Sequence, residues 1–192
     1  RVEPQEDLIS ALANAELSDD ELYMFLNQLL VAGNETTRNT ISGGLWALAE
    51  RPDQWQRLVD DRSLVPSAVE EILRWTTAVI AFMRTATQDT TLGGTEIAAD
   101  DPVLMLYASA NRDERKFVDP DRFDVTRDVH DHLGFGSGVH MCMGMHLGRL
   151  EIVSLLQSLA RRAKTIALAA EPVVAMNNTI RAWASLPVVV EP

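Results

Sequence analysis

One cysteine, Cys142, stands in a chain of 192 residues. A lone sulfur excludes an internal disulfide framework, a four-thiolate zinc site and an iron-sulfur cluster, each of which needs several. It leaves three roles: structural thiol, nucleophile or single metal ligand. Positive charge is also scarce. Lys and Arg number 17 against 28 Asp and Glu, a formal net charge of -11, without the clustered basic residues that a nucleic-acid surface requires. Nowhere do about 18 apolar residues follow one another, the length a spanning helix needs. The opening "RVEPQEDLIS" lacks a signal-peptide pattern. The expectation is a soluble, cytoplasmic protein that takes neither nucleic acid nor membrane as partner. The chain starts on Arg1 rather than Met, as a piece of something longer would.

What is present suffices for one ordinary domain, since 46% of the residues are hydrophobic. No internal repeat or low-complexity linker interrupts it. Ser18 and Glu21 have capping-box spacing, with Leu17 and Leu22 placed as a hydrophobic staple, so a helix is expected to start there. Apolar residues recur at helical spacing through Leu22, Phe25, Leu29 and Leu30, then Ile41, Leu45 and Leu48, and stop before Arg51-Pro52. That predicts a helix of roughly 30 residues, which in a small domain runs through the middle. Pro52 and Pro66 each suit the first turn of a further helix. The stretch "AVIAFMRTATQDTTLGGTEIA" then turns β-branched and alternating, predicting short antiparallel strands with Gly93-Gly94 as a turn. "PVLMLYASANRD" reads equally as strand or short helix, and residues 111–134 as irregular. A helix is expected again over 144–163, with Leu147, Leu150, Leu155, Leu156 and Leu159 as its apolar stripe, and a final hairpin near Asn177-Asn178. The fold class is mainly α with small antiparallel β elements, built around one long central helix.

The cysteine sits in "HDHLGFGSGVHMCMGMH", residues 130–146, together with all four histidines. Glycines at 136, 138 and 144 permit positive φ and bring amides close to whatever lies beside Cys142. The predicted helix just beyond favours thiolate through its dipole. A buried structural cysteine and a zinc site from Cys142 with some of His130, His132, His140 and His146 are compatible with the same residues.

Phe135, Gly136, Gly138, His140, Cys142 and Gly144, followed by Leu147, Arg149 and Glu151, resemble the haem-binding signature of the cytochrome P450 family, with Gly148 where the family usually has Ala. The resemblance implies that Cys142 is the thiolate ligand of haem b iron, that His140 contacts a haem propionate and that Phe135 and Gly136 lie by the sulfur. Within the long helix, "AGNETT" resembles the family's oxygen-activating segment, which implies an oxygen groove at Ala32 and Gly33 and proton delivery by Glu35 and Thr36. "EEILR" resembles its Glu-x-x-Arg helix, which implies a structural network of Glu71, Arg74 and, from "PDRF", Arg122. Arg84 stands where the family often has a propionate-binding arginine, and Val79, Ile80 and Ala81 would face substrate.

The resemblance covers only the C-terminal half of a P450, so the chain is expected to be the C-terminal part of a single P450 domain. Its implied function is a monooxygenase that inserts one atom of O2 into a hydrophobic small molecule. Electrons would come from NAD(P)H through a ferredoxin or flavodoxin-like donor; Arg149, Arg161 and Arg162 are compatible with a basic docking face for it and equally with solvated helix charges. The alternative from another class is a non-catalytic half that binds haem weakly or not at all and self-associates; a zinc-binding module is the third.

Overall fold

The computed structural model describes residues 5–192. Residues 1–4, the start of the stretch inspected for a signal peptide, lie outside the described residues. The chain divides into two compact units, one ending at Glu35 and the other running from Thr36 to Pro192. In the first, helix α1 (Leu8–Ala13) is capped by the Asp7 side chain, which accepts from the Ser10 amide at 2.7 Å. Helix α2 (Asp19–Ala49, 31 residues) begins on the capping box that the sequence spells out. The Ser18 amide donates to Glu21 Oε2 at 2.9 Å and the Glu21 amide to Ser18 Oγ at 3.3 Å.

The rest of α2 belongs to the second unit, and its burial is uneven. Its buried residues all lie from Asn39 to Leu48. Gly43 and Gly44 set how close that part comes. A Cβ on Gly43 would fall 2.5 Å from Thr76 Cγ2, and one on Gly44 would fall 2.8 Å from Ile72 Cγ2. No larger residue fits without moving a neighbour.

Helix α3 (Pro52–Asp60) and helix α4 (Val65–Thr76) each carry proline in the first turn, where the missing N–H costs nothing. The core forms where these helices meet α2 and the last helix: Leu48, Trp55, Leu58, Ile72, Phe123 and Leu156 are all essentially enclosed. Each such side chain contributes on the order of 1.5–3 kcal/mol. Trp55 Nε1 donates to the Lys164 carbonyl at 3.1 Å, so the indole is buried without orphaning its polar end.

Strand β1 (Ala81–Thr85), the hairpin of β2 (Thr90–Leu92) and β3 (Thr95–Ile97) around Gly93-Gly94, and strand β4 (Pro102–Leu106) follow; β1 pairs antiparallel with β4. The ambiguous "PVLMLYASANRD" is both strand and helix in turn: β4 passes directly into α5 (Tyr107–Ala110). Next comes irregular backbone and then helix α6 (Met145–Arg162). Strands β5 (Thr165–Leu168), β6 (Val173–Val174), β7 (Trp183–Ser185) and β8 (Val188–Glu191) close the chain, paired β5 with β8 and β6 with β7. Asn177 Oδ1 accepts from the Thr179 and Ile180 amides and forms the expected turn.

The stripe expected on α6 is partly corrected. Leu147 and Leu150 are exposed, whereas Ile152, Leu156 and Ala160 form its buried face. The helix meets the core only after its first turns, so the apolar residues nearest the cysteine stay outside it.

Candidate active site

Two polar networks anchored on α4 hold the irregular segment and the cysteine loop. In the first, Arg74 and Glu71 are fully buried and paired through two hydrogen bonds, Nε to Oε2 at 2.7 Å and Nη2 to Oε1 at 2.8 Å. Arg74 Nη1 also donates to the carbonyls of Asn111 and Pro120, both at 2.8 Å, and Glu71 Oε1 accepts from the Asp124 amide at 3.0 Å. These three hydrogen bonds end on irregular backbone, which explains how residues with no ladder of their own keep one path.

The third ionic member is not the one expected. Arg122 contributes only its carbonyl, 3.4 Å from Arg74 Nη2, while its side chain is 60% exposed beside Asp124. Arg127 takes the place instead: Nε lies 3.2 Å from Glu71 Oε2, and its guanidinium also binds the carbonyls of Val118, Asp119 and Arg122. Arg122→Ala is therefore expected to shift the urea midpoint by less than about 0.5 kcal/mol of stability. Arg127→Ala should cost roughly 2 kcal/mol by stripping one partner from a buried carboxylate. Equal midpoints for the two variants would contradict this ranking.

The second network joins three residues that the sequence does not bring together. Glu70 binds Arg149 through two hydrogen bonds, Nε to Oε1 at 2.7 Å and Nη2 to Oε2 at 3.0 Å. It also faces His132 Nε2 at 3.0 Å. The Arg149 guanidinium, rather than standing as a solvated helix charge, is engaged with Glu70 and lies over the Phe135 ring, 4.6 Å from the centroid. Burial works against ionisation of Glu70, but hydrogen bonds from His132 and Arg149 outweigh it and hold the carboxyl down to about 2 from an ordinary 4.5. A depressed folded-state value contributes stability that is complete above the unfolded value and is lost as pH falls through the folded one. Glu70→Gln is expected to flatten the acid loss of stability between pH 4.5 and 2, measured as the urea midpoint at successive pH values. An unchanged slope would contradict the assignment.

The cysteine loop begins with a 3-10 turn, Leu133–Phe135, and a second, Gly138–His140. Gly136 has φ +68, in the left-handed region that favours glycine. A Cβ there would sit 3.9 Å from Tyr107 Oη. The Cys142 amide donates to the Phe135 carbonyl at 2.9 Å, and the Met145 amide points at the Cys142 carbonyl at 3.4 Å, one residue into α6. The loop is thus pinned at both ends of the sulfur. Cys142 itself is exposed, and so are Val139, Met141, Met143, Leu147 and Leu150 around it. Among the described residues no hydrogen bond ends on its sulfur.

The remaining expected residues fall on neighbouring elements. Arg84 lies on β1 and its Nη1 donates to the Met83 carbonyl at 3.0 Å. Val79 bridges to Ile180, Ile80 donates to the Thr179 carbonyl, and Ala81 pairs with Leu106. Tyr107 joins this strand region to the loop: its ring meets Phe82 edge-on at 6.1 Å, and its hydroxyl faces Gly136. On α2, Ala32, Gly33 and Glu35 belong to the first unit and Thr36 to the second, where the Thr36 carbonyl accepts from Thr40 Oγ1 at 2.8 Å. Thr37, the next residue, approaches α6 at Gly148. A Cβ on Gly148 would lie 3.8 Å from Thr37 Oγ1 and 3.9 Å from Phe135 Cε1, ordinary contact distances. Gly148→Ala is accordingly expected to stabilise the protein by about 0.5–1 kcal/mol in thermal or urea unfolding; a loss of stability would show that this space is needed.

The donor chemistry separates the ligands that the sequence leaves open. His132 has both ring nitrogens engaged, and His130 pairs with Asp128 at 2.8 Å. Among the described residues no three His, Cys, Asp or Glu side chains come together in a way that could hold a metal ion. The zinc alternative therefore lacks its ligand set. One exposed sulfur among exposed apolar side chains suits a flat apolar group that brings its other ligands with it, and haem has that character. Nor is any described helix long and apolar enough to cross a membrane.

Comparison with known proteins bears on the same elements. The family model described as Cytochrome P450 matches residues 2–167. Cytochrome P450 126 of Mycobacterium tuberculosis is 49% identical over 170 residues, covering 84% of this chain and 41% of that protein. The steroid C26-monooxygenase of Mycolicibacterium smegmatis is 41% identical over 199 residues, covering 100% of this chain and 50% of that one. Among solved structures, the cytochrome P450 CYP109Q5 from Chondromyces apiculatus superposes with a TM-score of 0.93 at 42% identity, over 98% of this chain and 50% of that one. The chain spans about half the length of the relatives it matches.

Proposed function

The chain belongs to the cytochrome P450 family, and from that premise we propose that it is the thiolate-bearing part of a haem monooxygenase that inserts one atom of O2 into an apolar small molecule. The observation that carries the reading is the placement of Cys142: an exposed sulfur on a loop fixed by its own backbone and anchored to buried polar networks. Cys142 would supply the thiolate that holds the haem iron. His140 and Arg84 would take the propionates, and Phe135 and Gly136 would lie against the face bearing the sulfur. When bound, haem supplies the iron at which dioxygen is activated, and thiolate donation favours O–O cleavage.

The chain's own residues do the rest. Ala32 and Gly33 leave room beside α2; Gly33 has nothing of its own unit within 4 Å of where a Cβ would stand, so packing does not demand a glycine. Glu35 would take protons from solvent and pass them through water to the Thr36 hydroxyl. Val79, Ile80 and Ala81 are half-buried and apolar, which suits a hydrophobic substrate, as does a relative named for steroid oxidation. Electrons would derive from NAD(P)H through a ferredoxin or flavodoxin-like donor, and the reading includes a cytoplasmic location.

The test is anaerobic loading with haem, an optical spectrum of the reduced protein with carbon monoxide, and product analysis with apolar substrates in the presence of O2, NAD(P)H and a ferredoxin with its reductase. A thiolate-type carbonyl spectrum and oxygenated product are expected. A colourless, self-associating protein would replace this reading with that of a non-catalytic half.

A further inference from the structure

We infer that His132 and Glu70 are positioning residues for the Cys142 donor: the neutral imidazole, seated between the Glu70 carboxylate and the Gly134 amide, fixes the turn whose Phe135 carbonyl receives the Cys142 amide. The inference rests on the proposed ligation of haem iron by Cys142. It begins from the ring itself. His132 is 6% exposed, and its Nδ1 accepts from the Gly134 amide at 3.0 Å. A nitrogen that accepts a hydrogen bond carries no proton, so the proton is on Nε2, which donates to Glu70 Oε2 at 3.0 Å. One tautomer satisfies both partners; the other leaves two donors facing each other at Gly134.

The seat admits little variation. A Cβ on Gly134 would fall 2.9 Å from His132 Nδ1 and 3.1 Å from the Leu73 carbonyl, so the ring rests directly on the backbone of the turn. Glu70 is in turn held by Arg149, which also lies over Phe135. A second strap acts beside the first: the Leu133 amide donates to Asn111 Oδ1 at 2.7 Å, and Asn111 Nδ2 to Thr77 Oγ1 at 2.9 Å. From this turn the Gly136 amide returns to the Leu133 carbonyl at 3.1 Å, and the Cys142 amide reaches the Phe135 carbonyl. The path from Glu70 to the sulfur is one of short contacts at every step. Removing the imidazole frees the Phe135 carbonyl and ring together, and with them the direction from which the sulfur approaches its ligand.

The experiment uses the full chain with three substitutions, His132→Phe, His132→Asn and Glu70→Gln, in two states. In haem-free, nitrogen-15-labelled protein, the wild-type ring is expected to show the Nε2–H tautomer. His132→Phe should speed hydrogen exchange of the Cys142 amide by about ten-fold or more, with the Ile72 amide unchanged as the control for global stability. In haem-loaded protein, His132→Phe should lose most of the thiolate-type carbonyl spectrum. His132→Asn should recover a large part of it, because the Asn Oδ1 stands where Nδ1 did and can accept from Gly134. Glu70→Gln should fall between wild type and His132→Phe. A Cys142 amide and a carbonyl spectrum indifferent to His132→Phe would overturn the inference, and so would failure of His132→Asn to exceed His132→Phe in either state. If wild-type protein gives no thiolate spectrum while the exchange results hold, the ligation reading falls and the positioning of the Cys142 amide stands.

Discussion

Replacing Arg74 with methionine is expected to leave the protein about 3–5 kcal/mol less stable, a large share of a typical total of roughly 5–15 kcal/mol. Methionine keeps an unbranched apolar stem but none of the donors. Glu71 would then be a carboxylate with no solvent access and without its two-pronged partner. The carbonyls of Asn111 and Pro120 would lose their donor as well. Arg127 remains 3.2 Å from Glu71 and limits the damage, so Arg74→Met combined with Arg127→Ala should be worse than the sum of the two. Circular dichroism and urea unfolding read the outcome. A midpoint for Arg74→Met within about 1 kcal/mol of wild type would mean that the irregular segment is held by something other than this pair.

Cys142→Ser should produce the opposite separation, with function lost and fold kept. The described hydrogen bonds of Cys142 run through its backbone, and its side chain is exposed, so an exchange of sulfur for oxygen should move stability by no more than about 0.5 kcal/mol. A serine hydroxyl is a far poorer donor to haem iron than a thiolate. The thiolate-type carbonyl spectrum and oxygen insertion should both disappear while the urea midpoint holds. A variant that kept either property would remove Cys142 from the proposed site.

Much of the local structure can be read from the sequence because local chemistry decides it. The Ser18–Glu21 capping box, the prolines opening α3 and α4, and the Gly93-Gly94 turn each depend on residues within a turn of one another. The cysteine loop is legible for the same reason. What escapes such reading is contact across the chain. Glu70 meets His132 and Arg149 from 62 and 79 residues away, and no periodicity announces those meetings. Arg127 rather than Arg122 reaches Glu71 because the backbone between them follows hydrogen bonds to Arg74 and Glu71, not a repeating geometry. Leu147 and Leu150 fit the helical stripe of α6 but precede the point where that helix enters the core. Helical spacing shows which face a residue is on; the neighbouring elements decide where along that face burial begins.

The exposed apolar residues about Cys142 and the enclosed polar pairs beneath it divide the second unit between two tasks. Buried charge holds irregular backbone still, and the loop set on it presents one sulfur outward. The direct test of that division is iron-edge X-ray absorption on the haem-loaded protein and on its Cys142→Ser variant. One sulfur scatterer in the iron's coordination shell, absent from the variant, is the predicted result. A shell of nitrogen and oxygen alone, or a sulfur signal that survives the substitution, would contradict it.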